Sequence, residues 1–279
     1  MSQTDCVPNQ HLDRNPPAEE PRIIGTRRGL YRCTSTGVVF AATKSSSRYV
    51  APTSTKTIRK RSISGNMPIE IQPVLESDLR RCAEIEKLAF SGSPLDPVLF
   101  PGPMPEDMMG IRAEELAKQF REDTTVRFHK AVDTDLSGDE AIIAWSKWNA
   151  YSEGLPVPKP RVWGPGCNEE ACNKLFHGLD EMRQRLMGGK KVVYLHILVT
   201  DPKHQRRGAG WQLMTPIVQE AVRLGVPAYL ESSRAGHHLY QKVGFKDIDE
   251  YLIDFSQYGL EQPHINWAML WELPNRRCP

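Results

Sequence analysis

The residues best suited to chemistry lie between Val192 and Phe245. An apolar run from Val192 to Val199 ends at Asp201-Pro202 and is followed at once by Gln205-Arg206-Arg207-Gly208-Ala209-Gly210. Glycines at 208 and 210 let backbone amides approach an anion closely. A helix opening behind them directs its unpaired N–H groups and positive dipole end at the same point. A pyrophosphate fits such a loop, and Arg206 and Arg207 either add charge to it or face solvent. His196, near the end of the apolar run, is either a proton acceptor or a structural strand histidine. By period two, Tyr194, His196 and Leu198 share one face, and Val193, Leu195, Ile197 and Val199 take the other. Glu231 ends a second apolar segment that starts at Ala228, on the same face as Tyr229 and Ser233. Its carboxylate binds an ammonium or acts as an alternative base, or else it caps the strand end or the next helix. Tyr240, within Leu239-Tyr240-Gln241-Lys242-Val243-Gly244-Phe245, offers a phenol that can donate to developing negative charge without being ionised.

The elements that must position these residues are readable from periodicity. Leu213, Met214, Ile217, Val218, Ala221 and Val222 repeat with helical spacing after the glycine loop, and Gly225 ends that helix. Upstream, Ile69, Ile71 and Val74 suit a half-buried strand. A helix then starts at Glu76-Ser77-Asp78 and carries Leu79, Cys82, Ile85, Leu88 and Ala89 on one face. Residues 91–107, with Pro94, Pro97, Pro101, Pro103 and Pro105, cannot be a regular helix throughout. This stretch is either a packed connection or a cover over a substrate pocket. The pattern then predicts a helix over 106–121, strands over 126–132 and 141–150, and a Pro-rich insertion over 155–165. After the insertion comes a helix capped by Asn168 that carries Leu175, Leu179, Met182 and Leu186 on one stripe. Strands over 247–255 and 265–273 close the chain.

Composition sets outer bounds. With 39% hydrophobic and 25% charged residues, the 279-residue chain suits a soluble globular protein. No apolar run has the length of a bilayer helix, and no N-terminal apolar segment resembles a secretory signal. The six cysteines form no Cys-x-x-Cys pair and are expected as free thiols. Neither the spacing of Cys167 and Cys172 nor that of His237 and His238 makes a metal site, and none is expected. Residues 1–65 hold an excess of Lys and Arg, including Arg59-Lys60-Arg61, with few aromatics and no sustained periodicity. This composition predicts a disordered basic extension. The extension is a solvated tail, or it binds RNA, an acidic surface or an import receptor; its acidic residues disagree with a mitochondrial transit peptide. Cytoplasmic location is expected, with nuclear or mitochondrial location as alternatives.

The phosphate-type loop and the Tyr-x-x-x-Gly-Phe segment, in that order and separated by a helix and a strand, resemble the GNAT superfamily of N-acetyltransferases. A Rossmann reading would need Gly-x-Gly-x-x-Gly with a later acidic residue, an order that is absent. The resemblance implies a single α/β domain over residues 67–273, with a mixed, mostly antiparallel twisted sheet flanked by helices. It further implies acetyl-CoA as co-substrate. Gln205, Arg206, Arg207, Gly208, Ala209 and Gly210 would lie at its pyrophosphate, and the backbone of Ile197, Leu198 and Val199 would pair with its pantetheine arm. Tyr240 occupies the position of the family's proton donor to the CoA thiolate. The segment Tyr194-Leu195-His196 is similar in position to the paired strand histidines of arylalkylamine N-acetyltransferases, with Tyr194 in place of the first, and this makes His196 the candidate base. The expected reaction is direct acetyl transfer to the primary amine of a small molecule. The alternatives are a protein lysine or N-terminal acetyltransferase, and a non-catalytic acyl-CoA-binding scaffold. No membrane or nucleic-acid partner is expected, and the oligomeric state is left open.

Overall fold

The computed structural model describes residues 68–274; the expected basic extension over 1–65 lies outside them. The elements follow in the order β1 (Ile69–Pro73), α1 (Leu79–Phe90), α2 (Asp96–Leu99), α3 (Met108–Glu122), β2 (Val126–Asp133), β3 (Ile142–Tyr151) and α4 (Glu169–Met187). Then come β4 (Val192–Thr200), α5 (Ala209–Leu224), β5 (Ala228–Ser233), α6 (Arg234–Val243), β6 (Lys246–Ile253) and β7 (His264–Trp271). Seven strands form one sheet in the order β1-β2-β3-β4-β5-β7-β6. Every neighbouring pair is antiparallel except β4–β5, so the sheet is mixed and mostly antiparallel as expected.

Each helix buries its apolar stripe on the sheet. Leu213, Met214 and Ile217 of α5 and Tyr240 of α6 pack with Val193, Leu195 and Leu198 of β4 on one face. The opposite face is divided. Leu79, Cys82 and Ile85 of α1 and Leu116 of α3 cover Trp145, Ile197 and Val199, while Leu175, Leu179 and Met182 of α4 cover Tyr194, Tyr229 and Ile253. Asn168 caps α4 by accepting from the Ala171 amide at 3.2 Å, satisfying one of the helix's orphan donors. The Pro-rich stretch 91–107 is irregular apart from the single turn of α2. Two residues assigned to buried stripes are instead exposed, Leu88 at 43% and Val222 at 48%. Each sits at the margin of its stripe, where the sheet no longer covers the helix.

The larger correction concerns β4. Lys147 of β3 is opposite Ile197, yet Trp148 is opposite Leu195, so His196 is an extra residue without a partner. This β-bulge breaks strict alternation. Ile197 and Val199 therefore point to the α1/α3 side together with Tyr194 on the α4 side, and Leu198 points to the α5 side, the reverse of the period-two expectation for these three residues.

Candidate active site

The parallel pairing of β4 with β5 covers only Val193–Leu195 against Ala228–Leu230. Beyond that point β4 remains paired with β3 as far as Thr200, and β5 with β7 as far as Ser233. The two strands thus diverge into a split, and the edge of β4 from His196 through Ile197, Leu198 and Val199 carries no ladder partner on the β5 side. An extended amide-bearing chain can pair there as an added strand does.

At the mouth of the split the loop turns into α5. Arg206 has φ 65° and Gly208 φ 91°, the latter as the residue immediately before the helix. A left-handed φ suits glycine, whereas at Arg206 it stores strain of the kind found at ligand-binding turns. The first amides of α5 have no helical acceptors and face outward as anion donors. The two glycines have different structural reasons. A Cβ on Gly208 would meet nothing within 4 Å, so its φ is what requires glycine; a Cβ on Gly210 would lie 3.2 Å from Leu239 Cδ2 and 3.4 Å from Leu198 Cδ2. Gly210 therefore lets α5 close onto both α6 and the free part of β4. Arg207 is not free to seek an anion, because it donates to Asp133 at 2.7 Å and contacts the His204 ring at 2.9 Å. It braces the loop against the end of β2. Asp201 holds the preceding turn, accepting from Arg81 of α1 at 2.9 Å and from the Lys203 amide at 3.0 Å.

Tyr240 lies in the core on the α5/α6 side, 0% exposed, and its hydroxyl has no hydrogen-bond partner. Burial pushes its ionisation far above the ordinary phenol range, so it stays protonated and able to donate. His196 lies on the opposite face, its ring centroid 4.0 Å from that of Tyr194. It is 8% exposed, and neither ring nitrogen has a partner. Burial holds it well below the usual imidazole value, and the charges of Lys147, Arg183 and Arg161 act in the same direction. The ring is therefore neutral near neutral pH. Tyr240 and His196 thus lie on opposite faces of the sheet.

Glu231 does not end its strand, since β5 runs on to Ser233, and it is 1% exposed. It accepts from Arg183 of α4 at 2.8 Å and from the Tyr194 hydroxyl at 2.7 Å, and Arg183 also donates to Asp180 at 2.8 Å. Burial pushes the carboxyl up, opposed by Arg183 and by the Tyr194 hydrogen bond. This network fixes Tyr194, and through ring contact it positions His196. His237, expected as an exposed helix residue, contacts Asp247 at 2.8 Å and stacks on Trp267.

Two side chains without a role in the sequence reading, and one cavity, complete the surroundings. Ser233, at the splayed end of β5, is buried and its hydroxyl has no partner. Lys147, opposite the bulge on β3, is 2% exposed and donates to Gln119 of α3. Burial, aided by Arg112, pulls its ammonium down to about 7. A cavity of about 290 Å³ lies between α1, α3 and the 91–107 stretch and reaches Phe176 and Ile197. Lys147 left a local signal, a lysine inside a largely apolar strand, and the cavity left one in the Pro-rich stretch read as a packed connection or a pocket cover.

Residues 173–245, which run from α4 through the bulge, the glycine loop and the split to Tyr240 and Phe245, match the family model described as the acetyltransferase (GNAT) family. The GNAT match therefore spans the segment that builds the split and its loop. Over 103 residues it is 28% identical to the probable acyltransferase SID5 of Ajellomyces capsulatus, a stretch covering 37% of this chain and 70% of that protein. Among solved structures it is similar to the putative acetyltransferase yncA from Salmonella typhimurium with its cofactor acetyl-CoA. The identity there is 13%, with 76% of this chain and 98% of that chain covered and a TM-score of 0.46. Arabidopsis thaliana NAA60 in complex with acetyl-CoA aligns at 15% identity over 73% and 97% of the two chains, with a TM-score of 0.42.

The geometry suits a CoA thioester. The unpartnered β4 edge matches an amide-bearing pantetheine arm, the outward α5 amides match a pyrophosphate, and the buried hydroxyl of Tyr240 lacks the acceptor that a thiolate would be. No group of His, Cys, Asp and Glu among the described residues is arranged to hold a metal. No helix among them is long and apolar enough to cross a membrane.

Proposed function

We propose that this protein is an acetyl-CoA-dependent N-acetyltransferase acting on the primary amine of a small molecule by direct attack on the thioester. The observation that carries the reading is the unpartnered Tyr240 hydroxyl at a sheet split whose mouth is a phosphate-type loop. In the reaction the amine nitrogen forms a bond to the carbonyl carbon and the C–S bond breaks. The departing thiolate accepts a hydrogen bond from the Tyr240 hydroxyl and takes up the proton that the ammonium releases, which passes by way of His196, directly or through water. Two of the described thiols are ill-suited to an acyl-enzyme route. Cys82 is buried on the inner face of α1, where burial and Asp78 push its thiol far up, and the buried Cys172 points its thiol at the Leu99 carbonyl at 3.5 Å. The apolar cavity beside Ile197, bounded by the 91–107 stretch, favours a small acceptor over a protein chain.

The test is release of free CoA from acetyl-CoA across arylalkylamines, alkylamines, polyamines, amino acids, aminoglycosides and peptides. Turnover with at least one small amine, with stoichiometric N-acetyl product, is expected. Acetyl-CoA binding without turnover of any acceptor would refute the proposal in favour of a scaffold, and turnover of peptides alone would shift it to a protein acetyltransferase.

A further inference from the structure

The cavity beside the bulge has a chemistry of its own. Its walls are Phe90 and Ala83 of α1, Leu95, Leu99 and Met104 of the Pro-rich stretch, Met108 and Met109 at the start of α3, and Ile197. The charged groups that border it are already occupied with one another. Arg112 donates to Glu86 at 3.1 and 3.2 Å and to Glu115 at 3.1 Å, and Lys87 donates to Asp96 at 3.2 Å. Three carboxylates against two cations leave this border acidic by one charge. Such a site has no spare cation for a carboxylate or phosphate, offers apolar walls to a hydrocarbon body, and favours approach of an ammonium. The methionines give it adaptable walls.

The cavity also lies on the acceptor side. The loop, Gly210, Leu198 and Tyr240 are on the α5/α6 face of the sheet, where the thioester donor would be held. The cavity opens on the other face and touches Ile197, the residue next to His196. A molecule seated there would present its nitrogen to the split from the side opposite the leaving thiolate.

Building on the N-acetyltransferase reading, we propose that the acceptor is a primary amine with an apolar alkyl or aryl body that fills this cavity, and not a polyamine, amino acid, aminoglycoside or peptide. A dry apolar cavity of about 150 Å³ holds one benzene ring, so the space here suits a body of about twice that size.

The test measures kcat/KM at fixed acetyl-CoA for propylamine, butylamine, hexylamine and 2-phenylethylamine, with spermidine and lysine as polar comparators. A second arm fixes the amine and compares acetyl-CoA with hexanoyl-CoA. Burial of each methylene contributes about 0.8 kcal/mol, which predicts a rise in kcat/KM of roughly fourfold per methylene from propylamine to hexylamine. Ala83→Leu, which fills the cavity from α1, should flatten that rise, and Ile111→Ala, which enlarges it from α3, should move the optimum to longer amines. The second variant keeps the test decisive if the first fails to fold. A flat chain-length dependence, or a preference for spermidine or lysine, would overturn the inference while leaving N-acetyl transfer intact. A preference for hexanoyl-CoA with no dependence on the amine would overturn it by giving the cavity to the acyl chain. Acetyl-CoA binding with no amine turned over would overturn both readings.

Discussion

Replacing Tyr240 by phenylalanine removes one oxygen and keeps the ring that packs against Phe245 at 6.2 Å between centroids. In the structure that oxygen is buried and unpartnered. A buried hydroxyl without a partner costs about 1–3 kcal/mol, so its removal should stabilise the protein without ligand rather than weaken it. For a domain of this size each kcal/mol moves Tm by about 2–4 °C, which predicts a rise of about 2–12 °C by calorimetry. Turnover should fall, by about tenfold to a thousandfold in kcat, because the donor acts only as charge develops on sulfur. KM for acetyl-CoA should change little. Stability and activity thus move in opposite directions, a pairing that a purely structural tyrosine would not produce. A Tm lowered by several degrees would mean that the hydroxyl is satisfied in the folded protein. An unchanged kcat would remove Tyr240 from the chemistry.

Other perturbations separate the remaining roles. Lys147 is held near pH 7 in the fold, against an ordinary 10.5. Between those values the unfolded chain binds more protons than the folded one, so stability should rise with pH across this window, by up to roughly 5 kcal/mol. Lys147→Met should abolish that rise and be the more stable protein at pH 7, as urea titrations at pH 7 and 9 would reveal; a parallel pH dependence in both proteins would contradict the assignment. Gly210→Ala must push Leu239 and Leu198 aside, whereas Gly208→Ala must only hold a left-handed φ. Gly208→Ala should therefore cost about 1 kcal/mol, and Gly210→Ala should additionally weaken acetyl-CoA affinity by calorimetry; equal affinities in both variants and the parent would undo the loop assignment. Glu231→Gln leaves Arg183 buried with one fewer charged partner and should destabilise by about 3 kcal/mol, with much of the loss restored on adding Arg183→Met. Additive effects of the two substitutions would show that the pair is not coupled.

Local chemistry made much of this protein legible before any fold was known. Helical stripes such as Leu175, Leu179 and Met182, the Asn168 cap and the glycine loop are short-range patterns, because caps, turns and periodic burial depend on residues a few positions apart. Tyr240 was legible for a related reason, since its neighbours up to Phe245 form one contiguous segment. What the local pattern did not contain was any term between distant residues. The bulge at His196 exists only as a mismatch between β3 and β4, and it reverses the facing of Ile197, Leu198 and Val199 that period two had assigned. Glu231 meets Arg183 across 48 positions, a pairing that turns a candidate site carboxylate into a buried anchor. Arg207 is claimed by Asp133, Lys147 is desolvated by helices packed over β3, and the acceptor cavity is a gap among α1, α3 and β4. Charge pairing, desolvation and empty space are properties of what folding brings near, so they were decided by tertiary structure, while the sequence by itself determined the elements and the motifs they carry.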